Sequence, residues 1–221
     1  TVSEISLWDN GNGMDAETLR VAMQFGGGTH RNDSSGMGKF GMGLPNSSIS
    51  QCKRVEVWSW QKGGEPHYTY LDVDAMKEGT LEEVPMPKVC AIPSKYEEAF
   101  FNKRPESGTL IIWSKLDRLS WKTGQSIYRH CEHLVGRMYR NFICNDNIKI
   151  ESRTYRPSGS EKLDTWKIEV FKANDPMYLK KNTSLPVLPG SYKNEAFFEL
   201  MDEETVSVEF INESGEPKRD D

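Results

Sequence analysis

Glycine is concentrated in two short stretches of this chain, and neither stretch can form a regular helix or strand. The first is Asp9-Asn10-Gly11-Asn12-Gly13, which follows a short segment of alternating polarity. In the second, four glycines fall within the eight positions from 36 to 43. Residues without a Cβ turn sharply and allow another backbone to approach closely. We therefore predict a turn at the end of a first strand and, further along, a glycine-rich loop.

Hydrophobic periodicity predicts the elements around these stretches. The expected strands are the segment ending at Asp9, residues 54–60 and 67–73 as a hairpin, 108–113, 148–153, 166–171 and 206–211. The expected helices are residues 15–25 with Asp15 as N-cap, a segment from near Gly43 that contains Ile49 and Cys52, residues 96–101 and residues 127–142. Hairpin strands and helices in separate blocks indicate an α+β fold. The pattern changes near residue 145, where we place a domain boundary.

The composition excludes several classes of protein. The 28 Lys and Arg residues against 33 Asp and Glu give a net charge of -5, which argues against a strongly basic nucleic-acid scaffold. The longest apolar runs, such as residues 110–113, are far shorter than the roughly 20 residues that cross a bilayer, so we expect a soluble protein with no membrane partner. The four cysteines are widely separated and include no Cys-x-x-Cys pair, so we expect no disulfide framework and a reducing, cytoplasmic location. We interpret Cys131, although His130 and His133 flank it, as a core residue and not as a metal ligand.

The second glycine stretch does not fit three common nucleotide loops. It matches the dinucleotide fingerprint Gly-x-Gly-x-x-Gly, but the polar residues 29–35 precede it where an apolar strand is required. A Walker A loop fails twice, because Asp33 and Phe40 occupy the places of its first glycine and its Ser or Thr. A protein kinase would need later HRD and DFG triplets, and neither occurs in the sequence.

Three motifs in a fixed order point to a different kind of nucleotide site. Asp-x-Gly-x-Gly-Met at residues 9–14 is followed by the Gly-Lys-Phe-Gly-Met-Gly segment at 38–43, and Gly108-Thr109 opens a late strand. In this order the motifs resemble the GHKL ATPase superfamily (gyrase B, the ninety-kilodalton heat-shock chaperones, histidine kinases and MutL), and most closely its heat-shock-chaperone-like and MORC-like ATP-binding proteins. The resemblance implies a Bergerat fold over residues 1–145, a two-layer α+β sandwich with a mostly antiparallel sheet and helices on one face. It implies the beginning of a transducer-like α/β domain over residues 146–221.

The resemblance also implies a role for each motif residue. The carboxylate of Asp9, expected to be buried, would accept a hydrogen bond from the exocyclic amine of adenine, and Thr109 would assist it directly or through water. Gly11 and Gly13 would let the chain turn beneath the base, while Met14 would form an apolar wall. The triphosphate would be wrapped by the glycine loop and the start of the next helix, which are Gly38, Lys39, Phe40, Gly41, Met42, Gly43 and Leu44. Residues 26–38 would form a lid that ATP closes.

The catalytic residues of the superfamily are not found in this sequence. In the superfamily a general-base Glu and a Mg²⁺-binding Asn lie on a helix before the Asp-x-Gly-x-Gly turn, whereas here eight residues precede Asp9 and Glu4 lies in the predicted strand. We expect a longer parent protein that supplies this helix. The implied function is ATP binding with Mg²⁺-dependent hydrolysis, lid closure and homodimerisation, and with a protein or DNA client bound by other parts. The alternative is a non-catalytic module that senses ATP, which steady-state phosphate release from the full-length protein would distinguish.

Overall fold

The computed structural model describes residues 1–26, 41–100, 104–145, 148–158, 162–176, 209–211 and 217–219. The chain divides into two compact units, one of Thr1–Arg129 with Ser152–Glu169 and one of His130–Glu151 with Val170–Asp221. The strands are β1 (Ile5–Asp9), β2 (Cys52–Trp60), β3 (His67–Asp72), β4 (Lys88–Val89), β5 (Gly108–Leu116), β6 (Glu151–Pro157), β7 (Leu163–Val170), β8 (Glu209–Ile211) and β9 (Pro217–Arg219). The helices are α1 (Ala16–Ala22), α2 (Gly43–Ile49), α3 (Val73–Lys77), α4 (Ser94–Phe100), α5 (Gly124–Met138) and α6 (Arg140–Cys144). The domain boundary near residue 145 stays a prediction.

A five-stranded sheet organises the first unit. Its order is β1-β5-β2-β3-β4, and the recorded strand pairs are antiparallel. The hairpin predicted from the sequence is confirmed as β2 and β3, with Val57 opposite Thr69. Strand β5 lies between β1 and β2, so that the last residue of β1, Asp9, pairs with Thr109. The predicted α+β fold with a mostly antiparallel sheet is confirmed.

The sheet has two apolar faces because successive side chains of a strand point to opposite sides. On the first face, α1 and the start of α2 pack over the strands. Its buried core is Leu19, Met23, Cys52, Val55, Val57, Leu71 and Val84, with Met14, Leu44, Ile111, Trp113 and Leu116 packed at the margin. On the second face, α4 packs together with residues of β6 and β7. Its buried core is Trp58, Trp60, Ile92, Tyr96, Phe100, Leu110 and Ile112, with Tyr68, Ala99, Tyr155 and Leu163 at the margin.

Helix α1 confirms the helix predicted after the first glycine turn. Asp15 is its N-cap, because its carboxylate accepts the backbone N–H of Thr18 at 2.8 Å, and this bond lowers the pKa of Asp15. Leu19 and Met23, one turn apart, are fully buried. The helix ends at Ala22 instead of continuing to residue 25.

Helix α2 begins at Gly43 as predicted, but it ends at Ile49. Cys52, expected on this helix, is instead the first residue of β2, where it pairs with Leu116. The spacing from Ile49 to Cys52 suits a helix, but Cys52 also begins the run of β-branched and aromatic residues that pairs with two strands. Pairing across the sheet decides its conformation.

The long helix predicted over residues 127–142 is divided in two. Helix α5 ends at Met138, Tyr139 has φ -100° and ψ 14°, and α6 follows. Three apolar positions of the predicted helix are largely exposed. The exposed fractions of Leu134, Met138 and Phe142 are 60%, 53% and 50%. The apolar spacing is therefore helical, but it does not mark a continuous buried stripe.

The remaining elements partly follow the sequence. The short helix expected at 96–101 is α4, and the strands expected at 148–153, 166–171 and 206–211 overlap β6, β7 and β8. The sequence analysis predicts neither helix α3 nor strands β4 and β9, and the transducer-like character of residues 146–221 stays a prediction. Within the described ranges, no helix is both long and apolar enough to cross a membrane.

Asp72 connects the end of β3 to α3 and to two positively charged side chains. Its Oδ1 accepts the backbone N–H groups of Asp74 and Ala75 at 3.1 and 3.3 Å, which caps α3. Its Oδ2 accepts from Lys115 Nζ at 2.9 Å and from Arg54 Nη1 at 3.2 Å. Burial opposes ionisation of this side chain, which is 5% exposed, but the hydrogen bonds from Lys115, Ala75 and Arg54 prevail and lower its pKa to about 2.

Asp72→Asn should lower the free energy of unfolding by about 2 kcal/mol at neutral pH, because the variant keeps the shape but loses two charged hydrogen bonds. The folded pKa lies below the unfolded value of 3.8, so the stabilisation is complete above that value and is lost as the pH falls towards about 2. Urea unfolding of both proteins should therefore show a difference that shrinks with acidification. Glu83→Gln is the control, because Glu83 also forms an ion pair, with Arg20, but its own side chain is 77% exposed. An equal effect of the two substitutions would contradict this account of Asp72.

Candidate functional site

Asp9 ends β1 and lies directly opposite Thr109 on β5. Its Oδ1 accepts the backbone N–H of Gly11 at 2.8 Å, which closes a tight turn and fixes the carboxylate. Among the described residues, none donates a hydrogen bond to Oδ2. The side chain is exposed, so the expectation of a buried carboxylate was wrong. The reason is its position, because β1 is an edge strand of the sheet and Asp9 is its final residue.

Gly13 holds the turn against the sheet through backbone contact. Its φ is +67°, and a Cβ at this position would lie 1.9 Å from the carbonyl oxygen of Trp60. Gly108 is similarly confined, because its Cβ would lie 2.3 Å from the carbonyl oxygen of Asp9. At Gly11 a Cβ would lie 2.9 Å from Asp9 Oδ1. Gly13 and Gly108 are thus required where the turn, the end of β2 and the start of β5 meet, whereas the atom close to Gly11 is a side-chain oxygen that can shift.

Ser59 connects the same three segments through its hydroxyl group. Its Oγ accepts the backbone N–H of Met14 at 2.8 Å, donates to the carbonyl oxygen of Gly108 at 3.2 Å and lies 3.0 Å from Thr109 Oγ1. Ser59 is fully buried and Thr109 is 7% exposed. The sequence reasoning missed Ser59. A signal was available, because Ser59 continues the buried face of Val55 and Val57 with a polar side chain.

The second glycine stretch is described only from Gly41 onwards. Gly41 has φ +61°, its carbonyl oxygen accepts the N–H of Gly26 at 3.3 Å, and Met42 precedes α2 without a side-chain cap. Among the described residues, no atom lies within 4 Å of a Cβ built at Gly43, so packing against them does not explain this glycine. The predicted site residues Gly38, Lys39 and Phe40, and all of the predicted lid except Gly26, lie outside the described residues.

Met14 and Leu44 bring the two glycine stretches to one core. Both side chains pack at the margin of the cluster that contains Leu19 and Val57. Met14 directly follows the Asp-x-Gly-x-Gly turn, and Leu44 lies in the first turn of α2. The two motifs therefore border the same face of the sheet, and Asp9 and Thr109 lie on that face by strand alternation.

Glu4 is directed to the opposite face and serves a structural role there. Its carboxylate lies 3.8 Å from Lys95 Nζ, and burial together with a hydrogen bond to Glu4 raises the pKa of Tyr96. Lys95 and Tyr96 belong to α4, which covers the second core. The sequence analysis assigns Glu4 no catalytic role, and this assignment stays a prediction.

Comparison with known protein families gives one match. Residues 1–98 match the family model described as histidine kinase-, DNA gyrase B- and HSP90-like ATPase. The match supports the GHKL superfamily. The matched range includes the Asp-x-Gly-x-Gly turn, the second glycine stretch and the hairpin of β2 and β3, whereas Thr109 lies beyond it. No curated protein matches the chain.

The GHKL match supports ATP binding and ATPase activity at the coarse level of the superfamily, whose members usually use Mg²⁺ and typically dimerise. Similarity to the heat-shock-chaperone-like or MORC-like members stays a prediction. In the part of the chain that the structure describes, no group of three or more His, Cys, Asp or Glu side chains could hold a metal ion.

Gly13→Ala should destabilise the protein by about 3 kcal/mol or more, because the added methyl group overlaps the Trp60 carbonyl and the residue is also left-handed. Gly63→Ala is the matched control, since Gly63 has φ +75° but its Cβ would meet nothing within 4 Å. The control should cost about 1 kcal/mol, the strain of the left-handed backbone alone. Thermal or urea unfolding measures both. Similar losses in the two variants would refute close backbone packing as the reason for Gly13.

Proposed function

We propose that residues 1–145 form an ATP-binding module of the GHKL type in which Asp9 recognises the base. The observation that carries the proposal is the position of Asp9 at the end of β1, with Oδ1 held by Gly11 and with Thr109 directly across the strand pair. The family match over residues 1–98 supports the same assignment.

Adenine suits this arrangement because its exocyclic amine is a hydrogen-bond donor. With Oδ1 engaged by Gly11, the second carboxylate oxygen is the group that would accept the amine proton. A charged acceptor makes a stronger hydrogen bond than a neutral one. A purine with a carbonyl at the same position would place an acceptor against the carboxylate. Met14, half-buried beside the turn, would contact the face of the ring.

The triphosphate would extend from the base towards the start of α2. Gly41, Met42, Gly43 and Leu44 would contribute backbone N–H groups, together with Gly38, Lys39 and Phe40. The first N–H groups of a helix have no partners within the helix, and such groups bind phosphate well. The open space around the Cβ position of Gly43 supports close approach by a ligand at this residue. Mg²⁺ would be held by the phosphate oxygens, and no residue of this chain is assigned as the general base.

Asp9→Asn should weaken ATP binding at least about tenfold in isothermal titration calorimetry. If the asparagine Oδ1 keeps the Gly11 bond, Nδ2 replaces the accepting oxygen and opposes the amine donor. The same variant should bind inosine triphosphate better relative to ATP, because Nδ2 can donate to a carbonyl at that position. Asp164→Asn is the control, since Asp164 is an exposed carboxylate on β7. Equal affinity of wild type and Asp9→Asn for ATP would remove the basis of the proposal.

Lid closure and homodimerisation are the finer parts of the proposal. The backbone N–H of Gly26 donates a hydrogen bond to the carbonyl of Gly41 and so links the two ends of the segment that contains the predicted lid. A shift of Gly41 on phosphate binding would therefore also act on Gly26. We expect saturating ATP to shift the protein from monomer to dimer in sedimentation velocity. Asp9→Asn should need at least about ten times more ATP than wild type to reach the same dimer fraction, in line with its weaker ATP binding. An unchanged sedimentation coefficient of fully ATP-bound wild type would exclude ATP-driven dimerisation.

A further inference from the structure

We infer that Ser59 is a positioning residue that directs the hydroxyl proton of Thr109 and thereby sets the specificity of the base site. The inference rests on the proposed function and extends it to a residue outside the three sequence motifs.

The Ser59 hydroxyl has one proton and two lone pairs. The N–H of Met14 can only donate, so it uses one lone pair, and the carbonyl of Gly108 can only accept, so it takes the proton. One lone pair is left for Thr109 Oγ1 at 3.0 Å. All three contacts are satisfied together only when Thr109 donates its proton to Ser59. The Thr109 oxygen then has lone pairs and no proton for any further partner.

This arrangement presents two acceptors side by side. Asp9 and Thr109 are cross-strand partners in adjacent antiparallel strands, so their side chains lie on one face and about 5 Å apart at Cβ. One acceptor is the carboxylate and the other is the Thr109 oxygen. An amino group, with two protons on one nitrogen, matches this pair directly or through a bound water. Ser59 thus turns a hydroxyl that could donate or accept into one that only accepts.

The surroundings of Ser59 keep the arrangement fixed. Ser59 is fully buried, and its two backbone partners belong to segments that Gly13 and Gly108 hold in close contact. Water cannot replace a missing partner easily at a buried site, so a reversed proton would leave the Gly108 carbonyl without this bond. The fold therefore fixes Ser59 as the partner to which Thr109 donates its proton, before any ligand binds.

The test compares ATP with purine riboside triphosphate, which has a hydrogen in place of the exocyclic amine. The quantity is the ratio of the two dissociation constants, measured by calorimetry for each protein. This ratio reports the contribution of the amine and cancels effects that weaken both nucleotides equally. Wild type should favour ATP about a hundredfold, since two hydrogen bonds depend on the amine.

Ser59→Ala should lower the ratio about fivefold, because the freed Thr109 hydroxyl can donate to a ring nitrogen that both nucleotides carry. Thr109→Val should lower the ratio by a similar factor. If Ser59→Ala does not fold, Ser59→Cys replaces it, since a thiol fills the space but is a weak donor and acceptor. Thr69→Ala is the matched control and should keep the wild-type ratio. Thr69 is a buried hydroxyl on β3, on the same face of the sheet, and it donates to the carbonyl of Pro85 at 2.7 Å.

The outcomes separate this inference from the function on which it rests. If wild type shows no preference for ATP over the analogue, the proposed base recognition fails. If wild type prefers ATP and Asp9→Asn reduces the preference, while the folded Ser59 variants keep the wild-type ratio, the role of Ser59 is overturned and the proposed function stands. A loss of ATP affinity in the Ser59 variants without a change of ratio also overturns the inference, because it indicates a purely structural role.

Discussion

The contact between the backbone of Gly13 and the carbonyl of Trp60 is the constraint on which the site depends. A Cβ at Gly13 would lie 1.9 Å from that oxygen, so the turn can rest on the sheet only with glycine there. The close packing of the turn on the end of β2 places the backbone nitrogen of Met14 2.8 Å from Ser59 Oγ. It also sets the turn that presents the carboxylate of Asp9. One steric condition therefore places a donor, a hydroxyl group and a charge at the same edge of the sheet.

The sheet topology makes this arrangement available. Strand β5 lies between β1 and β2, so its first residues touch the ends of both neighbours. Gly108 packs against the carbonyl of Asp9 on one side, and Thr109 meets Ser59 on the other. Residues about fifty positions apart in the sequence thus share one small polar cluster at the rim of an apolar core. Because the strands are held by cores on both faces, the cluster rests on a rigid support.

Local patterns in the sequence were sufficient for the elements and for the motif residues that lie in turns. The Asp15 cap, the buried pair Leu19 and Met23 and the hairpin after residue 52 follow from spacing within short segments. The exposure of Asp9 could not be predicted in this way, because it depends on which strand lies at the sheet edge. Ser59 was missed for a related reason. Its role appears only when β5 is known to pair with β2, and strand order is a property of non-local contacts.

The division of the predicted long helix is a second case in which local spacing does not reveal non-local contacts. The spacing of Leu134, Met138 and Phe142 predicts one continuous helix, and helical spacing describes the local geometry on both sides of Tyr139 correctly. Spacing does not say what a face packs against. Gly136, which hydrophobic periodicity does not select, is buried, and a Cβ there would lie 2.4 Å from the carbonyl oxygen of Lys172. In this helix the glycine, and not the apolar stripe, marks the close contact, just as Gly13 does in the site.

The two halves of the proposed site differ in how much of the fold supports them. The base-recognition half consists of strand ends fixed by sheet pairing, backbone packing and a buried hydroxyl. The structure describes the phosphate half from Gly41 onwards, where α2 has no side-chain cap and no described atom lies within 4 Å of a Cβ built at Gly43. A preformed base site would select the nucleotide before the phosphates are engaged, so binding energy from the triphosphate would remain available to reorganise the glycine-rich segment. Recognition and conformational response would then depend on different residues, which allows each to be altered by substitution without the other.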